Sequence, residues 1–174
     1  MEEWTVIHTL KAAHQVGLSM MDSLAQAAVD LKEGRRYEAL AGFENILRFF
    51  DGDLKLHFDH EERALFPVMR RIIGPAGPIG AMVGEHDSLW RCVDEFIEEV
   101  EILRDDVDGV DAQCIGELNR LANHIVWLLR GHIEREDTML FPLAESILDE
   151  QGRREVSLNF EMVQQLAQES APRA

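Results

Sequence analysis

Four stretches of this chain repeat inward positions every three or four residues, and near the middle of each the apolar repeat gives way to histidine or to histidine and glutamate. A 3-4-3-4 spacing places side chains on one stripe of an α-helix. The first stretch gives Ile7, Leu10, His14, Gly17, Met21, Leu24, Ala28 and Leu31, and the second Leu40, Phe43, Leu47, Phe50, Leu54, His57, Glu61, Ala64 and Val68. The third gives Ile79, Met82, His86, Leu89, Val93, Phe96, Val100 and Leu103, and the fourth Ile115, Leu118, Ala122, Ile125, Leu129, His132, Glu136, Met139 and Leu143. Breakers separate them: Gly34-Arg35-Arg36, Gly74-Pro75-Ala76-Gly77-Pro78, the acidic loop Asp105-Asp106-Val107-Asp108-Gly109, and Gln151-Gly152. Helices are therefore expected over 3–32, 37–72, 78–104 and 111–149. Seams of this kind joined by short loops predict an all-α, up-down-up-down antiparallel four-helix bundle. Pro67 and Pro142 should kink or loosen the second and fourth helices. Val156, Phe160 and Val163 predict a short extra C-terminal helix over 156–167, capping the bundle or making a dimer contact, with a loose tail from Ser170. The domain division expected is 1–150 for the bundle and 151–174 for the C-terminal helix and tail.

The polar members of these seams are His14, His57, Glu61, His86, His132 and Glu136. Burying six such groups without partners is costly. Metal ions satisfy them together, because imidazole nitrogens and carboxylate oxygens are metal ligands. His57/Glu61 and His132/Glu136 are (i, i+4) pairs, so each shares a helix face. The heights also agree: His14 lies 17 residues before Leu31 and His57 lies 20 after Tyr37, which is the same level in an antiparallel pair.

The chain repeats itself as well. His57-Phe-Asp-His-Glu61-Glu62-Arg-Ala-Leu65-Phe66-Pro67 aligns with His132-Ile-Glu-Arg-Glu136-Asp137-Thr-Met-Leu140-Phe141-Pro142 at an offset of 75, and His14 with His86 at 72. Two matching hairpins predict a pseudo-two-fold site of four imidazoles and two carboxylates, enough for two metals bridged by Glu61 and Glu136. Six protein groups leave two metals under-coordinated, so room remains for an oxo or hydroxo bridge and an exogenous ligand.

Charge narrows the partners. With 33 acidic and 17 basic residues the chain carries −16, which disfavours nucleic acid and anionic membranes. No apolar run reaches the ~20 residues that span a bilayer, and Met1-Glu2-Glu3-Trp4 has no signal-peptide character, so a soluble, cytoplasmic protein is expected. Cys92 and Cys114 form no Cys-x-x-Cys pair and are read as small packed hydrophobes.

The order His…His-x-x-x-Glu…His…His-x-x-x-Glu, with Leu-Phe-Pro after each pair, resembles the hemerythrin-like (HHE cation-binding) family over about residues 5–148. The resemblance implies a non-haem centre of two iron ions (Fe2+/Fe3+) held by His14, His57, Glu61, His86, His132 and Glu136. Zinc or manganese also suits mixed nitrogen and oxygen ligands. Oxygen-carrying members have a second histidine four residues after the third-helix histidine, where Trp90 stands here. They also use a carboxylate five residues after the fourth-helix histidine, a place Asp137 fills, so Asp137 rivals Glu136. The chain thus resembles the four-histidine, two-glutamate subgroup, which includes proteins that repair iron centres. Those carry an N-terminal cysteine-bearing domain, which is not expected ahead of Trp4. The function expected is binding or sensing of a diatomic, O2 or NO. The alternatives are a di-iron enzyme (reduction of NO or peroxide, or iron delivery for iron–sulfur cluster repair) and metal storage. The partners implied are the diatomic, an electron donor and a second copy of the chain.

Around the six, His60 reads as a partner of a ligand histidine, a group at the open position, or an interface or surface residue; Glu62 as a hydrogen-bond partner of a ligand imidazole or part of a solvated face; and Trp90 as a cover limiting access or as simple core packing. His8 and His124 each sit one position beside a seam residue and read as structural. Tyr37 is expected to be remote from the site.

Overall fold

In a computed structural model of the chain, described over residues 4–170, five helical rods account for nearly all of the backbone and no strand occurs among the described residues. Helix α1 is Thr5–Lys32, α2 runs over 36–73, α3 is Pro78–Asp105, α4 runs over 112–147 and α5 is Glu150–Ser170. Gly34, Gly74 and Gly77 occupy the turns with φ of 83°, 83° and 79°, a region closed to most side chains. Pro78 then opens α3, where a missing N–H costs nothing. Asp111 caps α4 by accepting from Cys114 N at 2.9 Å. The first four rods form a ring in chain order, and short connections make neighbours antiparallel. Close approach of α1 and α2 depends on Gly42, where an added Cβ would lie 2.7 Å from the Ala27 methyl.

The loosening expected near the prolines takes a definite form. Just before Pro67 and Pro142 the helices widen into one π turn each, Glu61–Leu65 and Glu136–Leu140. A proline offers no N–H to the carbonyl four residues back, and its ring crowds that carbonyl, so the preceding turn opens. A third π turn, Phe50–Leu54, was not expected; it contains Asp51-Gly52-Asp53, three poor helix formers in a row. Each inserted residue rotates the seam by about one position. Upstream of Phe50 the buried face is therefore Ala39, Phe43 and Ile46, whereas the expected Leu40 and Leu47 are only partly buried. Beyond Glu136 it is Leu140 and Ala144, and the expected Met139 is exposed while Leu143 is partly buried. The α1 and α3 seams, which have no such insertion, are buried throughout as expected.

The C-terminal helix is present and longer than the segment expected. The fourth rod stops at Ile147 rather than at Gln151-Gly152, because Leu148 turns extended (ψ 116°) and Asp149 starts a new helix by accepting from Gly152 N at 2.8 Å. Helix α5 lies across the lower half of α2 and buries Val156 and Val163 there. The expected tail beyond Ser170 and the expected helix start at residue 3 lie outside the described residues.

Apolar side chains form two layers along the bundle. One, around Leu24, Phe43, Phe96 and Leu118, fills the end carrying the acidic loop. The other, around Ile7, Phe66, Met82 and Phe141, fills the end carrying Gly74 to Pro78. Between them lies one polar layer, and all six seam histidines and glutamates fall in it. No helix among the described residues is long and apolar enough to cross a membrane.

Candidate metal centre

All four rods of the bundle contribute to the polar layer: His14 from α1, His57 and Glu61 from α2, His86 from α3, His132 and Glu136 from α4. Glu61 and Glu136 sit at the onset of the two π turns and are fully buried, at 0% exposure each. The six residues form two quartets, His14/His57/Glu61/Glu136 and Glu61/His86/His132/Glu136, and within each quartet the ligating atoms lie within 4.8 Å of one another. Both carboxylates belong to both quartets.

The distances are short for groups that would otherwise repel. Nε2 of His14 is 3.2 Å from Nε2 of His57, and Nε2 of His86 is 3.1 Å from Nε2 of His132. Glu136 Oε2 lies 3.1 Å from His14 Nε2 and 3.2 Å from His132 Nε2; Glu61 oxygens lie 3.4 Å from His57 Nε2 and 3.4 Å from His86 Nε2.

The outer nitrogens explain why the inner ones face inward. Asp137 Oδ1 accepts from His14 Nδ1 at 2.9 Å, and Glu62 Oε1 accepts from His86 Nδ1 at 2.6 Å. Glu85 Oε2 accepts from His132 Nδ1 at 2.9 Å and is itself held by Arg135 Nε at 2.8 Å. An ionised carboxylate only accepts, so these Nδ1 atoms carry the proton. On His14 and His86 that turns Nε2 towards the interior. At 3.1 Å, His14 Nε2 and Glu136 Oε2 are close enough to share a proton or a cation. Both oxygens of Glu61, Glu136 Oε1 and His57 Nδ1 are buried without any hydrogen-bond partner. Buried carboxylate oxygens left this way cost several kcal/mol each unless neutralised, and a donor set of four imidazoles and two carboxylates fits two cations.

Charge in the metal-free interior is uneven. Burial, then the neighbouring Glu136, pushes the Glu61 carboxyl far up, so it is held as the acid. Burial also acts to raise Glu136, but His132, His14 and His57 outweigh it and hold this carboxyl well below the usual range. His132 is raised to about 9, against burial, by Glu136 and then Glu85. His57 is lowered, chiefly by burial. The hydrogen bond from His86 holds Glu62 low.

The flanking residues resolve as follows. Asp137 lies outside the inner set, at the outer nitrogen of His14, and Glu136 lies inside it. Of the two readings of Glu62, the contact with His86 is the one present. His60 is buried, its ring stacked on Phe160 of α5 at 3.6 Å and 5°, so it faces the extra helix rather than the quartets. Trp90 stands one layer out: it meets Phe58 edge-on at 5.9 Å, and Phe58 in turn stacks on His86 at 3.7 Å. Tyr37 is exposed by the acidic loop, bonded to Asp108, and His124 lies 3.7 Å from the buried thiol of Cys92, both away from the layer. The reading from sequence missed Glu85 and Arg135; their signal was position, one residue before His86 and one before Glu136. A cavity of about 280 Å³ lies mainly on the His14/His57 side, lined by Ala13, Gly17, His57, His60 and Phe160 among others, and touches His132 as well.

Residues 5–144 match the family model of the Hemerythrin HHE cation binding domain. Among curated proteins the chain is similar to the iron-sulfur cluster repair protein YtfE of Dickeya chrysanthemi, at 33% identity over 107 residues, and to that of Cronobacter sakazakii, at 30% over 107. Each of these matches covers 59% of this chain and 47% of the relative, so the chain spans about half the length of these proteins. The iron-sulfur cluster repair protein DnrN of Neisseria gonorrhoeae is 27% identical over 141 residues, covering 79% of this chain and 87% of that one.

Proposed function

This chain belongs to the hemerythrin HHE cation-binding family, and from that premise we propose that its polar layer holds two iron ions and binds or senses a diatomic ligand, O2 or NO. His14 and His57 would hold one ion and His86 and His132 the other, with Glu61 and Glu136, common to both quartets, shared between them. Asp137, Glu62 and Glu85 orient three of the imidazoles. The observation that carries this reading is the pair of quartets sharing both carboxylates, with four of their buried polar atoms unsatisfied. Bound there, iron would supply redox chemistry, with room left by the six protein groups for an oxo or hydroxo bridge and for an exogenous ligand. An electron donor is needed wherever that ligand is turned over rather than held.

A second reading is favoured by the relatives, which are named for repair of iron–sulfur clusters: the chain gives up iron to a damaged cluster. Metal analysis with Mössbauer spectroscopy on anaerobically purified protein tests the centre itself. Stopped-flow spectra of the reduced form mixed with O2, and separately with NO, then test ligand binding; no change on mixing removes the first reading. Iron transfer to a cluster-depleted ferredoxin without an O2 or NO response would favour the second.

A further inference from the structure

The two halves of the centre are built alike except in one place. Under the offsets that relate the hairpins, His14 answers to His86, His57 to His132, Asp137 to Glu62 and Phe141 to Phe66. The geometry follows: the ring centroids of His14 and His57 are 4.9 Å apart at 64°, and those of His86 and His132 are 4.8 Å apart at 68°. Of the positions that do not match, four bear on the space beside the imidazoles. Glu85 answers to Ala13, Leu89 to Gly17, Arg135 to His60, and Phe58 to Ile133.

These mismatches fall together. In one half, Glu85 and Arg135 fill the space outside His132 and Phe58 covers His86. In the other, Ala13 offers no carboxylate, and His57 Nδ1 is buried without a partner. Gly17 has only Ile133 and Phe49 within 4 Å of where its Cβ would stand. The cavity of about 280 Å³ lies mostly on this side, reaching His132 only at its inner end, and α5 walls it with Phe160, whose ring lies on His60.

We propose that Ala13 and Gly17 are the specificity-determining residues of the centre: they open the His14/His57 half to a neutral ligand with an apolar body larger than a diatomic, against an outer wall of His60 and Phe160. This rests on reading the six residues as a metal pair. The size argument is that a cavity of about 150 Å³ lined by aliphatic and aromatic groups already holds benzene. The class argument is that the inner lining is mainly apolar and the chain carries −16, so a neutral molecule is favoured over an anion.

The test uses methyl and tert-butyl isocyanide, neutral iron ligands of graded bulk, titrated into the anaerobic iron-loaded full chain and followed by absorption, with iron counted on the same samples. Wild type is expected to bind both. Gly17→Leu, which copies Leu89, and Ala13→Glu, which copies Glu85, are expected to keep two irons and to weaken tert-butyl isocyanide by roughly tenfold or more. Gly17→Ala, whose methyl would meet Ile133 Cδ1 at 3.5 Å, is the mild variant should the others not fold, with a smaller loss in the same direction. Variants that keep two irons and bind the bulky probe as wild type does overturn the proposal, as does a wild type that accepts methyl but not tert-butyl isocyanide. Xenon diffused into crystals of the metal-free chain reads the opening without iron. A site beside Ala13 and Gly17 that is lost in the Gly17 variant supports the proposal, and xenon in both or in neither overturns it. A chain that binds no iron but shows the xenon contrast defeats the metal reading while supporting the opening.

Discussion

Loading the centre with two divalent ions should release about two protons per chain at pH 7. The number follows from which groups hold protons in the metal-free interior. Glu61 is held as the acid by burial beside Glu136, and His132 stays charged up to about pH 9. Both must deprotonate to offer a lone pair to a cation. Affinity for the ion pair therefore rises with pH below about pH 9, by roughly tenfold per proton per pH unit. Where Glu61 and His132 both still hold their protons this is about a hundredfold, or ~2.7 kcal/mol per unit, in the product of the two association constants. Calorimetric titration of anaerobic Fe2+ into the metal-free chain, in two buffers of different ionisation heat, counts the protons directly. Glu61→Gln keeps an oxygen donor but has no proton to lose, so it should release about one fewer. A proton count that does not differ between wild type and Glu61→Gln, or an affinity flat between pH 6 and 8, would refute the reasoning.

Other outcomes follow from the same structure. His57→Ala and Glu61→Ala should each lower bound metal sharply, whereas His124→Ala, beside Cys92 and away from the layer, should not; elemental analysis reads this, and unchanged iron in the first two would remove the ligand assignment. Phe43→Ala, at a fully buried ring packed edge-on against Phe96 at 5.2 Å, should cost about 3–5 kcal/mol in denaturant unfolding of the metal-free chain. Asp111→Ala removes the cap of α4 and should cost about 1 kcal/mol in the same assay. In the metal-free chain, the raised value of His132 stabilises the fold fully below its unfolded value of about 6.5, and that contribution disappears as pH rises through about 9. A melting temperature that climbs across that interval would contradict it.

Most of the architecture was legible because helical periodicity, turn glycines and the Gly-Pro cluster all act locally. The six polar seam residues were legible for a related reason: a histidine or glutamate on an apolar stripe has few ways to be satisfied. What sequence did not reveal were slips of one residue. Met139 and Leu143 continue the 3-4 rhythm, yet Leu140 and Ala144 are buried, since the π turn before Pro142 adds a residue that the rhythm cannot show. Glu85 was missed because on a helical wheel it is merely a polar neighbour of His86; only the packing of α3 against α4 brings it to His132. The choice between Glu136 and Asp137 likewise turned on rotation, as adjacent carboxylates point about 100° apart on a helix. The start of α5 was misplaced because Gly152 reads as a breaker until Asp149 is seen to cap it.

Neither quartet can be assembled from one helical hairpin. The first takes His14, His57 and Glu61 from residues before the Gly74 turn and Glu136 from after it; the second takes Glu61 from before and His86, His132 and Glu136 from after. A half-length fragment would present an incomplete set of donors at both positions, however well its own helices formed. Docking of the two hairpins would complete both donor sets at once, and an ion held there should act as the latch on the completed tertiary structure.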